Sequence, residues 1–215
     1  MFVFENARLA HQGPAVFERL SLRIDDGEQV ALLGPSGAGK STLLAALRRQ
    51  QPGLCAWCPQ QGALVPMLSV FHNIYMGSLA RHSRWTNLRN LIHPSRAQRH
   101  AVGLVAEQLG LTDKLFTSID QLSGGQAQRT ALGRAIYCQR PVLLADEPVS
   151  NVDEHQALAL TRQVLDQHPT AVIAMHDRAL ALQCCQRLIG IREGRIVLDA
   201  RAAELTLGDL DALYQ

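Results

Sequence analysis

Gly34-Pro35-Ser36-Gly37-Ala38-Gly39-Lys40-Ser41 has the spacing G-x-x-x-x-G-K-[ST] and lies between an apolar run and a stretch of good helix formers. Each residue type there has a chemical task. The glycines let the backbone wrap an anion with its N–H groups turned inward, and the positive end of the following helix adds to the field. Lys40 reaches β- and γ-phosphates, the Ser41 hydroxyl suits Mg²⁺, and Thr42 continues the first helical turn. The chemistry indicated is nucleoside triphosphate binding.

Two further stretches extend that chemistry. Pro141-Val142-Leu143-Leu144-Ala145-Asp146-Glu147 is an apolar strand ending in two carboxylates. In a parallel sheet the carboxyl end of a strand opens into the ligand crevice. Asp146 is placed there to hold the Mg²⁺ shell, and Glu147, pointing the other way, to accept a proton from an attacking water. Leu122-Ser123-Gly124-Gly125-Gln126 reads first as a helix start, with Ser123 as N-cap and Gln126 closing a capping box. Two glycines behind a cap weaken a helix, so something is expected to approach the backbone closely. A γ-phosphate at the helix N-terminus meets that description.

The phosphate loop, LSGGQ and the LLADEP strand, in this order over nearly the whole chain, resemble the ATPase subunit of an ABC transporter. The resemblance implies an α/β phosphate-loop NTPase fold with a mostly parallel core sheet, an inserted helical subdomain and an antiparallel β-subdomain. It implies one ATP-binding domain over residues 1–215, with a core of about 1–60 and 131–215 and a helical subdomain of about 66–130. Gln60, in Pro59-Gln60-Gln61-Gly62, matches the Q-loop glutamine that senses Mg²⁺ and the attacking water, with Gln61 the neighbouring candidate. His176, in Val172-Ile173-Ala174-Met175-His176-Asp177, matches the switch histidine at the γ-phosphate, and Ser150-Asn151-Val152-Asp153 the D-loop of the dimer interface. His11 lies where the family places an aromatic ring that stacks on adenine.

The same resemblance implies ATP and Mg²⁺ as ligands and a dimer that closes head to tail. Each ATP would lie between Lys40 of one copy and Ser123, Gly124, Gly125 and Gln126 of the other. It also implies membrane permease subunits docked near the Q-loop, a solute-binding protein acting indirectly, and a place on the cytoplasmic face of the cell membrane. Leu64 to Leu88, with Asn73, Gly77, Leu79, Arg81, Arg84 and Trp85, is similar to the phosphonate importer branch. The alternatives are another solute, in either direction, or a non-transport ATPase of the same family. Gln60 follows Lys40 by only 20 positions, a segment the family carries at greater length. A shortened antiparallel lobe is therefore expected, with Leu54 to Trp57 as its surviving strand.

The elements that must position these residues are legible as patterns. Phe2 to Leu9 and Phe17 to Ile24 are strand-like, and Gln29 to Leu33, Val142 to Ala145 and Ala171 to Met175 are buried strands. Ser95 is expected to cap a helix that ends near Leu109 with Gly110 as its stop, and Asp153 to cap another. Leu188 to Arg192 and Arg195 to Asp199 predict a hairpin, and Ala202 to Tyr214 a short closing helix. Strands alternating with helices indicate α/β architecture.

Composition excludes several classes. Of 215 residues, 47% are hydrophobic and 19% charged, unlike a disordered chain, and the size is that of one domain. A net charge of +2 argues against nucleic acid as a partner. Gln50 to Ala80 lacks Asp, Glu, Lys and Arg, but its prolines and glutamines make it loop plus short helix rather than a membrane span. The start shows no secretory signal pattern. The five cysteines, including Cys55-Ala-Trp-Cys58, read as ordinary reduced thiols.

Overall fold

The computed structural model describes residues 1–10, 13–60 and 64–214; His11 and Gln61 lie outside these. In chain order the elements are β1 (Phe2–Ala10), β2 (Ala15–Ile24), β3 (Gln29–Leu33), α1 (Lys40–Gln50), β4 (Cys55–Cys58), α2 (Val70–Tyr75), α3 (Arg84–Ile92), α4 (Arg96–Gln108) and α5 (Gly124–Tyr137). There follow β5 (Val142–Asp146), α6 (Glu154–Asp166), β6 (Thr170–Ala174), α7 (Arg178–Cys184), β7 (Arg187–Arg192), β8 (Arg195–Arg201) and α8 (Leu207–Asp211).

Six strands form one sheet in the order β4-β5-β6-β3-β7-β8. All neighbours run parallel except β7 and β8, which form the expected hairpin. Alternating side chains on the central strands enter two different cores, which is why these strands read as unbroken apolar runs. On β3, Val30 and Leu32 face a core shared with α1 and the antiparallel pair β1–β2, where Phe2, Phe17 and Ile24 are fully buried. Ala31 and Leu33 face the opposite core, shared with α2, α4, α5 and α6. Both cores hold the carboxyl ends of β3 and β5 in place, and the phosphate loop and Glu147 grow from those ends.

The helices between β4 and β5 are stopped and stapled by polar groups. Ser95 caps α4 and Gly110 follows it in left-handed conformation at φ 62°. Buried Asn73 secures the loop before α2: its amide donates to the carbonyls of Val65, Leu68 and Ser69, and its oxygen accepts from Val65 N at 2.8 Å.

Three expectations need correction. The antiparallel lobe is indeed small, but β1 and β2 are the strands that form it. Leu54 to Trp57 belongs elsewhere: Cys55–Cys58 pairs in parallel with Val142–Ala145 as the edge of the main sheet. The reason is burial. Cys55 faces one core while Ala56 and Cys58 face the other, a demand that only the two-sided sheet satisfies. The segment Gln50 to Ala80 therefore contains a strand as well as a helix. At the other end, Ala202 to Tyr214 splits into a single turn at Ala202–Glu204 and α8. Thr206 interrupts it by capping α8, its hydroxyl and the Asp209 carboxylate forming a reciprocal box.

Candidate active site

The turn from β3 into α1 is built on glycine. Gly34, Gly37 and Gly39 have φ of 142°, 79° and 116°. At Gly39 a side chain is excluded twice over: the left-handed backbone disfavours it, and a Cβ would fall 2.7 Å from the Phe17 ring. The loop folds over on itself, with Ala38 N donating to Pro35 O at 3.2 Å. Lys40, the first residue of α1, returns its ammonium to the loop and donates to Gly34 O at 2.6 Å and Pro35 O at 3.1 Å. Burial lowers the Lys40 pKa, and the nearby Glu147 and Asp146 carboxylates offset part of that.

A cleft of about 220 Å³ opens over this loop. Ser36, Lys40, Ser41, Gln60, Glu147 and His176 all contribute to its wall. Residues that follow four strands, and the start of one helix, thus meet at the carboxyl edge of the sheet. Glu147 is the centre of the group. Gln60 Nε2 donates to its Oε2 at 2.8 Å, and His176 Nε2 lies 2.5 Å from its Oε1. Asp146, one residue earlier, is buried, with the Ser41 hydroxyl nearby. Burial raises its pKa; the neighbouring Ser41, Lys40 and His176 oppose this, while Glu147 adds to it.

Glu147 has φ 51°, a left-handed conformation uncommon for a residue with a side chain. Its backbone is gripped on both sides. Glu147 N donates to Ala174 O at 3.0 Å, and Gln128 Nε2 donates to Glu147 O. Gln128 lies on α5 and also donates to Ser150 Oγ at 3.0 Å and accepts from Asn151 N at 2.9 Å. One amide therefore ties the helix behind LSGGQ to the main chain of Glu147 and to the loop after it. The sequence reading passed over Gln128. Its only signal was position, two residues past Gln126 in the first turns of the same helix.

Ser123, Gly124, Gly125 and Gln126 do not line this cleft. They open α5, where the Ser123 hydroxyl accepts from Gln126 N and the Gln126 side chain accepts from Ser123 N, the full capping box. The two glycines differ. A Cβ on Gly125 would fall 2.6 Å from Asn151 O, whereas one on Gly124 meets nothing within 4 Å. Gly125 is thus required by the chain's own following loop, and only Gly124 leaves the open backbone expected for an external ligand. Asp153 caps α6, accepting from Gln156 N at 3.0 Å.

Phosphate loop, acidic strand end and capped SGGQ helix, gathered on a mostly parallel sheet, together have the make-up of a phosphate-loop ATPase. The chain belongs to the ABC transporter family, whose model matches residues 17–54 and 48–150. It is 37% identical to the phosphonates import ATP-binding protein PhnC of Pseudomonas putida, over 97% of this chain and 87% of that protein. It is also 34% identical to the protein of the same name from Polaromonas sp., over 93% and 82%. The fold is similar to a dimeric bacterial ABC transporter cassette, with TM-score 0.77 and 21% identity over 92% of this chain and 97% of the other. An ABC transporter cassette in its ADP conformation gives TM-score 0.75 and 19% identity over 97% and 96%. The chain is an ATP hydrolase of this family, and among the described residues no helix is long and apolar enough to cross a membrane.

Proposed function

We propose that this chain powers the import of a phosphonate, or a related phosphorus compound, by hydrolysing ATP between two copies of itself. The Glu147 carboxylate held between Gln60 and His176 above the phosphate loop carries the catalytic part of this reading. Lys40 and the loop N–H groups hold the β- and γ-phosphates. A water attacks the γ-phosphorus as its proton passes to Glu147, and the bond to the ADP oxygen breaks. Gln60 and His176 fix the two carboxylate oxygens so that proton acceptance has one geometry. Positioning of this kind supplies most of the catalysis of phosphoryl transfer.

Ser41 and Asp146 suit a Mg²⁺ ion. A hydroxyl and a carboxylate close enough to interact are hard oxygen donors, and burial makes the Asp146 charge costly until a cation joins it. Among the described residues no three His, Cys, Asp or Glu side chains are placed to hold a metal ion together, so phosphate oxygens, water and Gln60 would complete the shell, as Mg²⁺ prefers. When bound, the ion neutralises charge on the β- and γ-oxygens.

The signature residues Ser123 to Gln126 complete the site of the partner copy, with Ser150 and Asp153 at the shared interface. Residues 1–60 and 131–215 act as the core, and 66–130 as the helical subdomain that moves on closure. Permease subunits fit a second cleft of about 470 Å³ beside Pro59, lined by Trp57, Met76, Leu79, Arg48 and Arg140. Such docking places the chain at the inner face of the membrane, and a solute-binding protein acts through the permease.

Glu147→Gln is expected to trap a dimer that light scattering detects with ATP but not with ADP. An unchanged monomer mass with ATP would overturn the closure model. For the solute, a strain relying on this chain should lose growth on a phosphonate as its phosphorus source when Lys40→Ala is introduced. Unimpaired growth would remove that assignment.

A further inference from the structure

The helix α3 is amphipathic but turned inside out. Its polar side faces the protein. Asn90 is fully buried, its amide donating to Tyr75 Oη at 2.9 Å and its oxygen accepting from Ser95 N at 3.0 Å. Asn87 accepts from Tyr75 Oη at 2.9 Å and donates to Leu79 O at 3.0 Å. The apolar side faces outward: Trp85 is 82% exposed, Ile92 78%, Leu88 50% and Leu91 49%. At roughly 100° of rotation per residue, Leu88, Ile92 and Trp85 fall in one arc about 60° wide. Exposed Arg84 borders the arc on one side and exposed Arg89 on the other. A helix on a globular protein ordinarily buries its apolar arc, and a contiguous exposed patch marks a surface with a partner.

The charge around the patch says which partner. No Asp or Glu occurs between Glu28 and Glu107. Every charged or titratable side chain on α3, on the link after it and on α4 before Glu107 is therefore basic: Arg84, Arg89, His93, Arg96, Arg99 and His100, all exposed. A Trp-containing apolar stripe flanked by arginines of a single charge sign is the chemistry of an element lying in an anionic lipid interface.

We propose that α3 rests on the surface of an anionic bilayer. Trp85, Leu88 and Ile92 enter the boundary between headgroups and acyl chains, while Arg84 and Arg89 lay their aliphatic stems along the same surface and put their guanidinium groups among the phosphates. The contact is separate from the ATP cleft and from the identity of the solute. It gives the helical segment a lipid footing of its own, beside any contact with a permease.

The test is co-sedimentation of the full chain with large vesicles. Wild type is expected to bind equimolar phosphatidylcholine–phosphatidylglycerol vesicles at least about tenfold more than pure phosphatidylcholine, with binding falling as salt rises. Trp85→Ser with Ile92→Ser, and separately Arg84→Glu with Arg89→Glu, should each lose most of that binding while their thermal melts stay at the wild-type position. Lipids brominated on the acyl chains should quench the fluorescence of wild type, and Trp85→Phe should keep binding but lose that quenching. Equal binding to neutral and anionic vesicles, or undiminished binding by both double variants, overturns the proposal. Association seen only when a permease is present in the vesicle overturns it in favour of a protein partner.

Discussion

At the residue scale, the site turns on how Glu147 is held. Its side chain is bonded at both oxygens, and its main chain is bent into a left-handed conformation. Such a conformation persists only where neighbours over-determine it, and Gln128 is one of those neighbours. Gln128→Ala is expected to lower kcat by about 10- to 100-fold, equivalent to about 1.4–2.7 kcal/mol, with KM for ATP little changed. Steady-state ATPase kinetics with fluorescent-nucleotide binding would check this, and an unchanged kcat would count against the clamp. Asp146 poses the opposite question. Burial raises its pKa, so the charged form is disfavoured in the fold; that cost is present at neutral pH, shrinks as pH falls below the raised value and is gone below the ordinary 3.8. Asp146→Asn should therefore abolish hydrolysis and yet stabilise the nucleotide-free chain, on the order of 1 kcal/mol by chemical denaturation.

At the scale of elements, the start of α5 separates two kinds of glycine. Gly125→Ala drives a Cβ into Asn151 O, and the loop or helix must shift, a change expected to cost about 1–3 kcal/mol in a denaturant melt. Gly124→Ala meets open space and should leave the isolated chain as stable or up to about 1 kcal/mol more so, because alanine favours the helix. On the head-to-tail closure proposed above, the same change should nevertheless impair ATP-driven pairing, since the added methyl would stand in the path of the partner's phosphate. Finding both variants equally unstable would show that the distinction is unreal. The strand β4 teaches a related lesson about the Cys55–Cys58 pair. Burial pushes the two thiols up to about 11 and about 12, so both stay protonated, and their role is to fill the two cores.

At the scale of the whole molecule, stability rests on joints between layers. His168 is buried at the end of α6 with Nδ1 bonded to Val164 O at 2.8 Å, and its carbonyl accepts from Gln29 at the start of β3. Burial lowers its pKa below the ordinary value of 6.5. The unfolded chain then binds a proton that the folded chain refuses, so stability is present above about pH 6.5 and declines as pH falls below it. The decline from this residue is limited to about 1.4 kcal/mol per pH unit. Urea melts at pH values either side of that point should show it for wild type, and His168→Gln should flatten it.

The phosphate loop, the acidic strand end, the capping box and most strand positions were legible in the chain, because each is a local pattern with a local physical cause. Glycines mark backbone freedom, Ser123 and Gln126 mark a cap, and unbroken apolar runs mark strands buried on two faces. The meeting of Gln60, Glu147 and His176 was expected only by resemblance, since these residues lie far apart along the chain. What needed the tertiary structure was everything set by contact between distant segments. Burial on both sides moved Cys55–Cys58 into the main sheet, and Asn151 O claimed the space beside Gly125. Gln128 gained three bonds that no spacing announced, and the polar residues of α3 turned inward. Local propensity is a property of neighbours in sequence; these outcomes are properties of neighbours in space.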